Sequence, residues 1–291
     1  MAHQSAQQVK KVLWQILFAN LAVAIAKIII GTMIQSASMM SDGYHSLTDG
    51  VSNVVGLVGI SVAAKPVDAS HPYGHGKYEF LTSLFIGVML LLIAAKIGYE
   101  AFQRISAPIE PEFGAEALIM LVVTLIINII VSEYENRQGK RLNSYILISD
   151  SLHTRSDIFV SLGVLLTLIG IKFGAPPIID PLASIIVGIF IVRAGIEIIK
   201  STSEVLVDKA TADHEEIKAI TLRFGHVIDV HDIRSRGTET NMFVDMHITV
   251  DPAMSIEESH KLVHDIEDQL RLEINPKMEV IIHTEPAAER A

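Results

Sequence analysis

The sequence predicts a membrane all-α bundle of six transmembrane helices followed by a C-terminal α+β cytoplasmic domain of ferredoxin-like type, and three observations lead there. Half of the 291 residues are hydrophobic, only 19% are charged, and the mean hydropathy is +0.42, an apolar balance for a chain of this length. Six stretches reach the roughly 20 apolar residues that a spanning helix needs. The acidic surplus behind the net charge of -10 lies wholly in the tail: residues 1–202 hold 14 basic and 14 acidic groups, and residues 203–291 hold 9 and 19. The chain therefore divides into a membrane domain, residues 1–202, and a soluble acidic domain, residues 203–291, which suits cations and repels nucleic acid.

The six spans run from Val12 to Ile34, Ala37 to Ala64, Tyr78 to Ile105, Ala115 to Tyr134, Tyr145 to Phe173 and Ile178 to Ser201. Polar or Pro/Gly connections separate them at residues 65–77, 106–114, 135–144 and 174–177. The polar residues 1–11 precede an apolar run longer than a signal-peptide core, so the first span reads as retained. Lys10, Lys11, Lys65, Lys77, Arg137, Lys140 and Arg141 gather on one side, with Arg104 and Lys172 opposite. By the positive-inside rule both termini are expected in the cytoplasm, in a cell (inner) membrane. After Ser203 the pattern becomes helix (211–224), strand (227–236), strand (242–250), helix from Ser255 and strand (277–283). Ser255 with Glu258 three residues on is a capping-box signature.

The chemistry lies in an internal echo. Ser41-Asp42-Gly43-Tyr44-His45-Ser46-Leu47-Thr48-Asp49 in the second span is matched by Ser149-Asp150-Ser151-Leu152-His153-Thr154-Arg155-Ser156-Asp157 in the fifth. Each copy supplies His-x-x-x-Asp, and positions i and i+4 share a helix face. The two spans thread the membrane oppositely, so the pair could meet as an inverted repeat near mid-membrane. His45, Asp49, His153 and Asp157 then offer two nitrogens and two oxygens, the ligand number of tetrahedral zinc. Ionisable groups inside a bilayer are costly and mark function. The bland alternative is a pair of histidines satisfied by neighbouring helices. Asp42 and Asp150, one turn earlier, read either as orienting partners of the histidines or as a proton path.

Two further clusters follow. Asp68, His71 and His75 fall within eight residues of a loop on the cytoplasmic side, with Gly74 and Gly76 allowing a tight backbone. In the tail, His283 and Glu285 share one strand face, His231 and His247 lie on the other strands and His260 in the second helix. Together they could form one or two zinc sites, even at a subunit contact. His264 shares a face with His260 and is an alternate ligand or a surface residue. The chain has no cysteine, which excludes disulfides, thiolate catalysis and soft thiolate metal sites.

Six spans, the paired His45-x-x-x-Asp49 and His153-x-x-x-Asp157, the His71-Pro72-Tyr73-Gly74-His75-Gly76-Lys77 loop and the His-rich tail together resemble the cation diffusion facilitator family over almost the whole chain. The resemblance implies a proton-coupled exporter of divalent metal that works as a homodimer in the lipid bilayer. It implies a transport site at His45, Asp49, His153 and Asp157, a loop site at Asp68, His71 and His75, and a cytoplasmic site drawn from His231, His247, His260, His283 and Glu285. Some members carry Asp in place of His45, and the histidine leans toward Zn2+; Cd2+, Co2+ and Fe2+ are further cargo candidates. Some members also carry Asp in place of Glu285.

Metal binding needs neutral imidazole and ionised carboxylate, so protons and metal displace each other at such a site. That is antiport chemistry. An intramembrane zinc hydrolase is a rival reading, but the chain has no His-Glu-x-x-His and four protein ligands leave no position open for water. A metal sensor or channel without proton exchange is the second rival. The expectation is a secondary transporter and not an enzyme.

Overall fold

The computed structural model describes residues 2–33, 37–106, 115–176 and 178–287, and divides the chain into two compact units, residues 1–203 and 204–291. Unit one contains α1 (Ala2–Met33), α2 (Ala37–Ala63), α3 (Lys77–Ser106), α4 (Ala115–Leu142), α5 (Tyr145–Lys172) and α6 (Ile179–Leu206), the last ending three residues into the next unit. Among the described residues, five of these are long and apolar enough to cross a membrane, and the apolar stretch described for α2 is Gly50–Ala63.

Two helices outrun the sequence expectation. α1 starts ten residues early, since Ala, Gln and Lys in its polar lead are good helix formers. α4 continues to Leu142 and absorbs the segment expected as a loop from residue 135. Its Glu133 and Arg137, four residues apart, pair at 2.6 Å and support that extension. As a result Glu135 lies inside a helix. α5 begins at Tyr145 under the carboxylate of Glu79 from α3, which accepts from the Ser144 hydroxyl at 2.7 Å and the Ile146 N–H at 3.4 Å. An anion there satisfies orphan amides at a helix N-terminus.

α1 packs on α2, α4 on α5, and α2 touches both α3 and α5. Leu13, Ile16, Ile60, Val131, Ile146 and Leu147 form a buried cluster shared by α1, α2, α4 and α5. α3 and α6 approach at Gly87 and Gly195, where a Cβ on Gly195 would stand 3.2 Å from the Gly87 carbonyl oxygen. Small residues permit such backbone contact in a bilayer, where there is no hydrophobic drive between helices.

Unit two contains α7 (His214–Thr221), β1 (Val227–Thr238), β2 (Asn241–Val250), α8 (Ile256–Glu273) and β3 (Met278–Pro286). The sheet order is β1-β2-β3, antiparallel between β1 and β2 and parallel between β2 and β3. α7 is shorter than expected because Asp213 caps it, accepting from the Glu215 N–H at 3.0 Å. α8 opens with the full capping box of Ser255 and Glu258. The alternating buried residues Val244, Met246, Ile248 and Val250 of β2 pack against Ile217, Ile220, Leu262, Ile266 and Leu270 of the two helices. Both helices therefore cover one face of the sheet and leave the other open.

Candidate metal centres

A hydrogen bond ties α2, one turn beyond its motif, to the motif of α5. The Asn53 side-chain amide on α2 donates to Asp150 Oδ2 on α5, and Asn53 Oδ1 accepts from Asn20 on α1 at 3.0 Å. As successive spans alternate in direction, α2 and α5 run antiparallel. Counting back from Asn53 along α2 passes Asp49 and then His45. Counting forward from Asp150 along α5 passes His153 and then Asp157. The two motif segments thus travel along the same stretch of the helix pair. The side chains of Asp42, His45 and Asp49 lie outside the described residues; their backbone is helical.

His153 is 4% exposed and neither ring nitrogen has a hydrogen-bond partner. Buried polar atoms are nearly always satisfied, so such an imidazole calls for a proton donor or a cation. Its cavity, about 40 Å³, is also lined by Asp157, Thr154, Ser46, Asn20 and Lys27. Ser46 directly follows His45, so both halves of the echo reach this cavity.

Asp150 and Glu135 add two more carboxyls close by. Asp150 is 1% exposed and Glu135 is sealed from solvent. They lie within hydrogen-bond reach of each other, and each keeps one oxygen without a donor. Thr154 donates to Glu135 Oε2 at 2.9 Å and also approaches the Asp150 carbonyl oxygen at 3.2 Å. Sequence reasoning missed Glu135, Asn20, Asn53 and Lys27. Their signal was present, since each is a polar residue inside or bordering an apolar run, but only the echo drew attention.

In the loop, Asp68, His71 and His75 each bring one ligand atom within 4.8 Å of the others. Asp68 Oδ1 accepts from the backbone N–H of His71 at 2.7 Å and of Ser70 at 2.9 Å. The His71 amide is the main cause that holds the Asp68 carboxyl below the usual range. His75 Nδ1 donates to the Pro66 carbonyl oxygen at 3.1 Å, leaving Nε2 toward Asp68 Oδ2 at 3.4 Å. That hydrogen bond fixes the ring and its metal-facing nitrogen. Gly74, at φ +81°, supplies the left-handed turn that folds His75 back over His71.

On the sheet, His231 pairs with His247 and His247 with His283, placing three imidazoles in a row. His247 alternates with buried Met246 and Ile248, so the row lies on the open face. Glu285 Oε1 lies 2.9 Å from His247 Nδ1, and Oε2 lies 3.2 Å from His231 Nε2. His283 Nε2 is 3.9 Å from the same carboxylate. A register shift between His231 and Arg234, with Asp232 at φ +51°, bends β1 beside the row. His260 is not brought into this group. It lies on the exposed side of α8, with its Nε2 3.2 Å from His264 Nε2, and α8 covers the opposite face of the sheet.

The loop and sheet-face clusters each bring together residue types that can hold a metal ion, and comparison with known proteins points to metal transport. Residues 13–207 match the family model described as "Cation efflux transmembrane domain", and residues 210–287 the one described as "Cation efflux protein, cytoplasmic domain". An uncharacterized transporter of Methanocaldococcus jannaschii is 33% identical over 91% of this chain and 94% of its own length. The manganese efflux system protein MneP of Bacillus subtilis is 30% identical over 98% of this chain and 99% of its own length. Metal tolerance protein C1 of Arabidopsis thaliana is 30% identical over 93% of this chain and 61% of its own length. With apolar helices in the first unit and a three-stranded α+β second unit, the chain belongs to the cation diffusion facilitator family and is an integral membrane cation efflux transporter.

Proposed function

We propose that this protein exports a divalent metal ion, zinc first, from the cytoplasm in exchange for protons, with both termini in the cytoplasm of a cell membrane. The observation that carries the reading is His153: a buried imidazole with two unpartnered nitrogens, sharing one small cavity with Asp157 and with the neighbour of His45. His45, Asp49, His153 and Asp157 bind the metal as neutral imidazole and carboxylate, and protons arriving from the far side displace it. Two nitrogens and two oxygens suit Zn2+, with Cd2+, Co2+ and Fe2+ behind it. Manganese, the metal for which the MneP relative is named, prefers more oxygen ligands and is the competitor to test.

Residues 1–202 form the transport domain and residues 203–291 a regulatory domain in a homodimer. Asp68, His71 and His75 hold a second metal, and His231, His247, His283 and Glu285 a third. Because His260 faces away from that row within one chain, its contribution would come from a second copy. Metal binding to the native tail stabilises that assembly by mass action.

Proteoliposomes with an imposed pH gradient test this reading. Zinc and manganese flux are followed in the parent and in Asp157→Ala and His153→Ala. The reading expects gradient-driven flux with zinc ahead of manganese, lost in both variants. Flux indifferent to the gradient would leave a channel; binding with no flux would leave a sensor.

A further inference from the structure

Lys27 is a cation built into the wall of a cation site. It lies on α1, within the first membrane span, and is 6% exposed. Its ammonium donates to the Ser46 hydroxyl at 2.8 Å, which holds it against the residue following His45. The cavity it lines is also lined by Asp157 and His153 and has a volume of about 40 Å³. The ammonium and a metal ion held at Asp157 would thus share one cavity inside the membrane span, where charge is poorly screened.

A lysine inside a bilayer is costly and is retained near opposite charge. A carrier that moves one ion per cycle must also cross without its cargo, and its carboxylates then need neutralising in a medium of low dielectric. Exchanged protons do part of this. A tethered ammonium can do the rest without being transported. Lysine suits the task better than arginine, being a compact point charge on a flexible four-carbon stem.

We propose that Lys27 is the resident counter-cation of the transport site, neutralising its carboxylates when no metal is bound and repelling the metal when it arrives, so that it sets affinity and release. This rests on the reading of His153 and Asp157 as metal ligands. Lys27 is a specificity and release residue, not a ligand.

The sign of the effect makes the test sharp, because structural damage weakens binding whereas loss of this charge strengthens it. The full-length protein, carrying Asp68→Ala, His71→Ala, His231→Ala and His247→Ala so that only the intramembrane site is read, is titrated with Zn2+ in detergent. Lys27→Met and the polar Lys27→Gln, which guards against a folding failure of the first, are expected to bind Zn2+ about tenfold more tightly or better, and to release it more slowly to a chelator. Lys27→Arg, which keeps the charge, is expected to retain the parent affinity. Unchanged or weaker binding in the neutral variants that remain monodisperse overturns the proposal, as does tightening in Lys27→Arg. A background protein whose zinc binding survives Asp157→Ala would overturn the site reading itself, and the lysine proposal with it.

Discussion

Glu135 on α4 and Asp150 on α5 bring two buried carboxyl groups into hydrogen-bond reach, with one oxygen of each left without a donor. Thr154 supplies a donor to the first, and Asn53 and Ser52 supply donors to the second. Glu135→Gln keeps the shape, keeps an oxygen for Thr154 and adds an N–H2 that can face Asp150. We expect it to raise the thermal stability of the detergent-solubilised protein, by about 1 kcal/mol for the gained hydrogen bond. A lowered melting temperature would show that the pair is satisfied in some other way.

Asn53 links three helices, and its loss should be felt in all of them. Asn53→Ala strips Asp150 of an amide donor and leaves Asn20 without its acceptor. The expected cost is about 1 to 3 kcal/mol for buried polar groups left unsatisfied. Asn20→Ala removes only one of the two bonds and should cost less. Thermal unfolding of both variants orders them.

The loop carries a pH signature of defined sign. The Asp68 carboxyl is lowered in the folded protein, first by the His71 backbone N–H. Its contribution is therefore complete above the ordinary carboxylate value of 3.8 and is lost as pH falls through the lowered one. Hydrogen exchange, corrected for intrinsic rates, should show the Ser70 and His71 amides equally protected at neutral and mildly acidic pH and exposed only below that ordinary value. Asp68→Asn should lower their protection at neutral pH and remove its dependence on pH.

In the tail one carboxylate serves three imidazoles, so Glu285 should matter more than any single histidine. Glu285→Ala in the full-length protein is expected to reduce bound zinc by at least one ion per chain and to leave Asp157-dependent binding intact. His260→Ala should alter zinc content only where the protein is dimeric. Metal analysis after gel filtration reads both.

Much of this was legible in the residues. Apolar runs announced the helices because a bilayer interior leaves few options for backbone hydrogen bonds, and Ser255 with Glu258 announced the start of α8 because that spacing satisfies two amides at once. Local turn chemistry likewise made Asp68, His71 and His75 visible as a group. Glu135 was hidden because a charged, polar stretch reads as a loop, whereas the Glu133 and Arg137 pair and the contact of α4 with α5 carry the helix on to Leu142. Asn20, Lys27 and Asn53 were hidden for a different reason: their partners lie on other helices, 19 to 97 residues away in sequence. The layer occupied by His260 was equally out of reach, since it depends on which face of the sheet α8 covers.

The central claim is that one metal ion is gripped between α2 and α5 by His45, Asp49, His153 and Asp157. X-ray absorption on zinc-loaded full-length protein, with the loop and tail sites removed by substitution, tests it most directly. We predict four nitrogen or oxygen neighbours at about 2.0 to 2.2 Å, including two imidazoles, and the loss of one imidazole in His153→Ala. A six-oxygen shell, or a spectrum unchanged by His153→Ala and Asp157→Ala, would contradict the account.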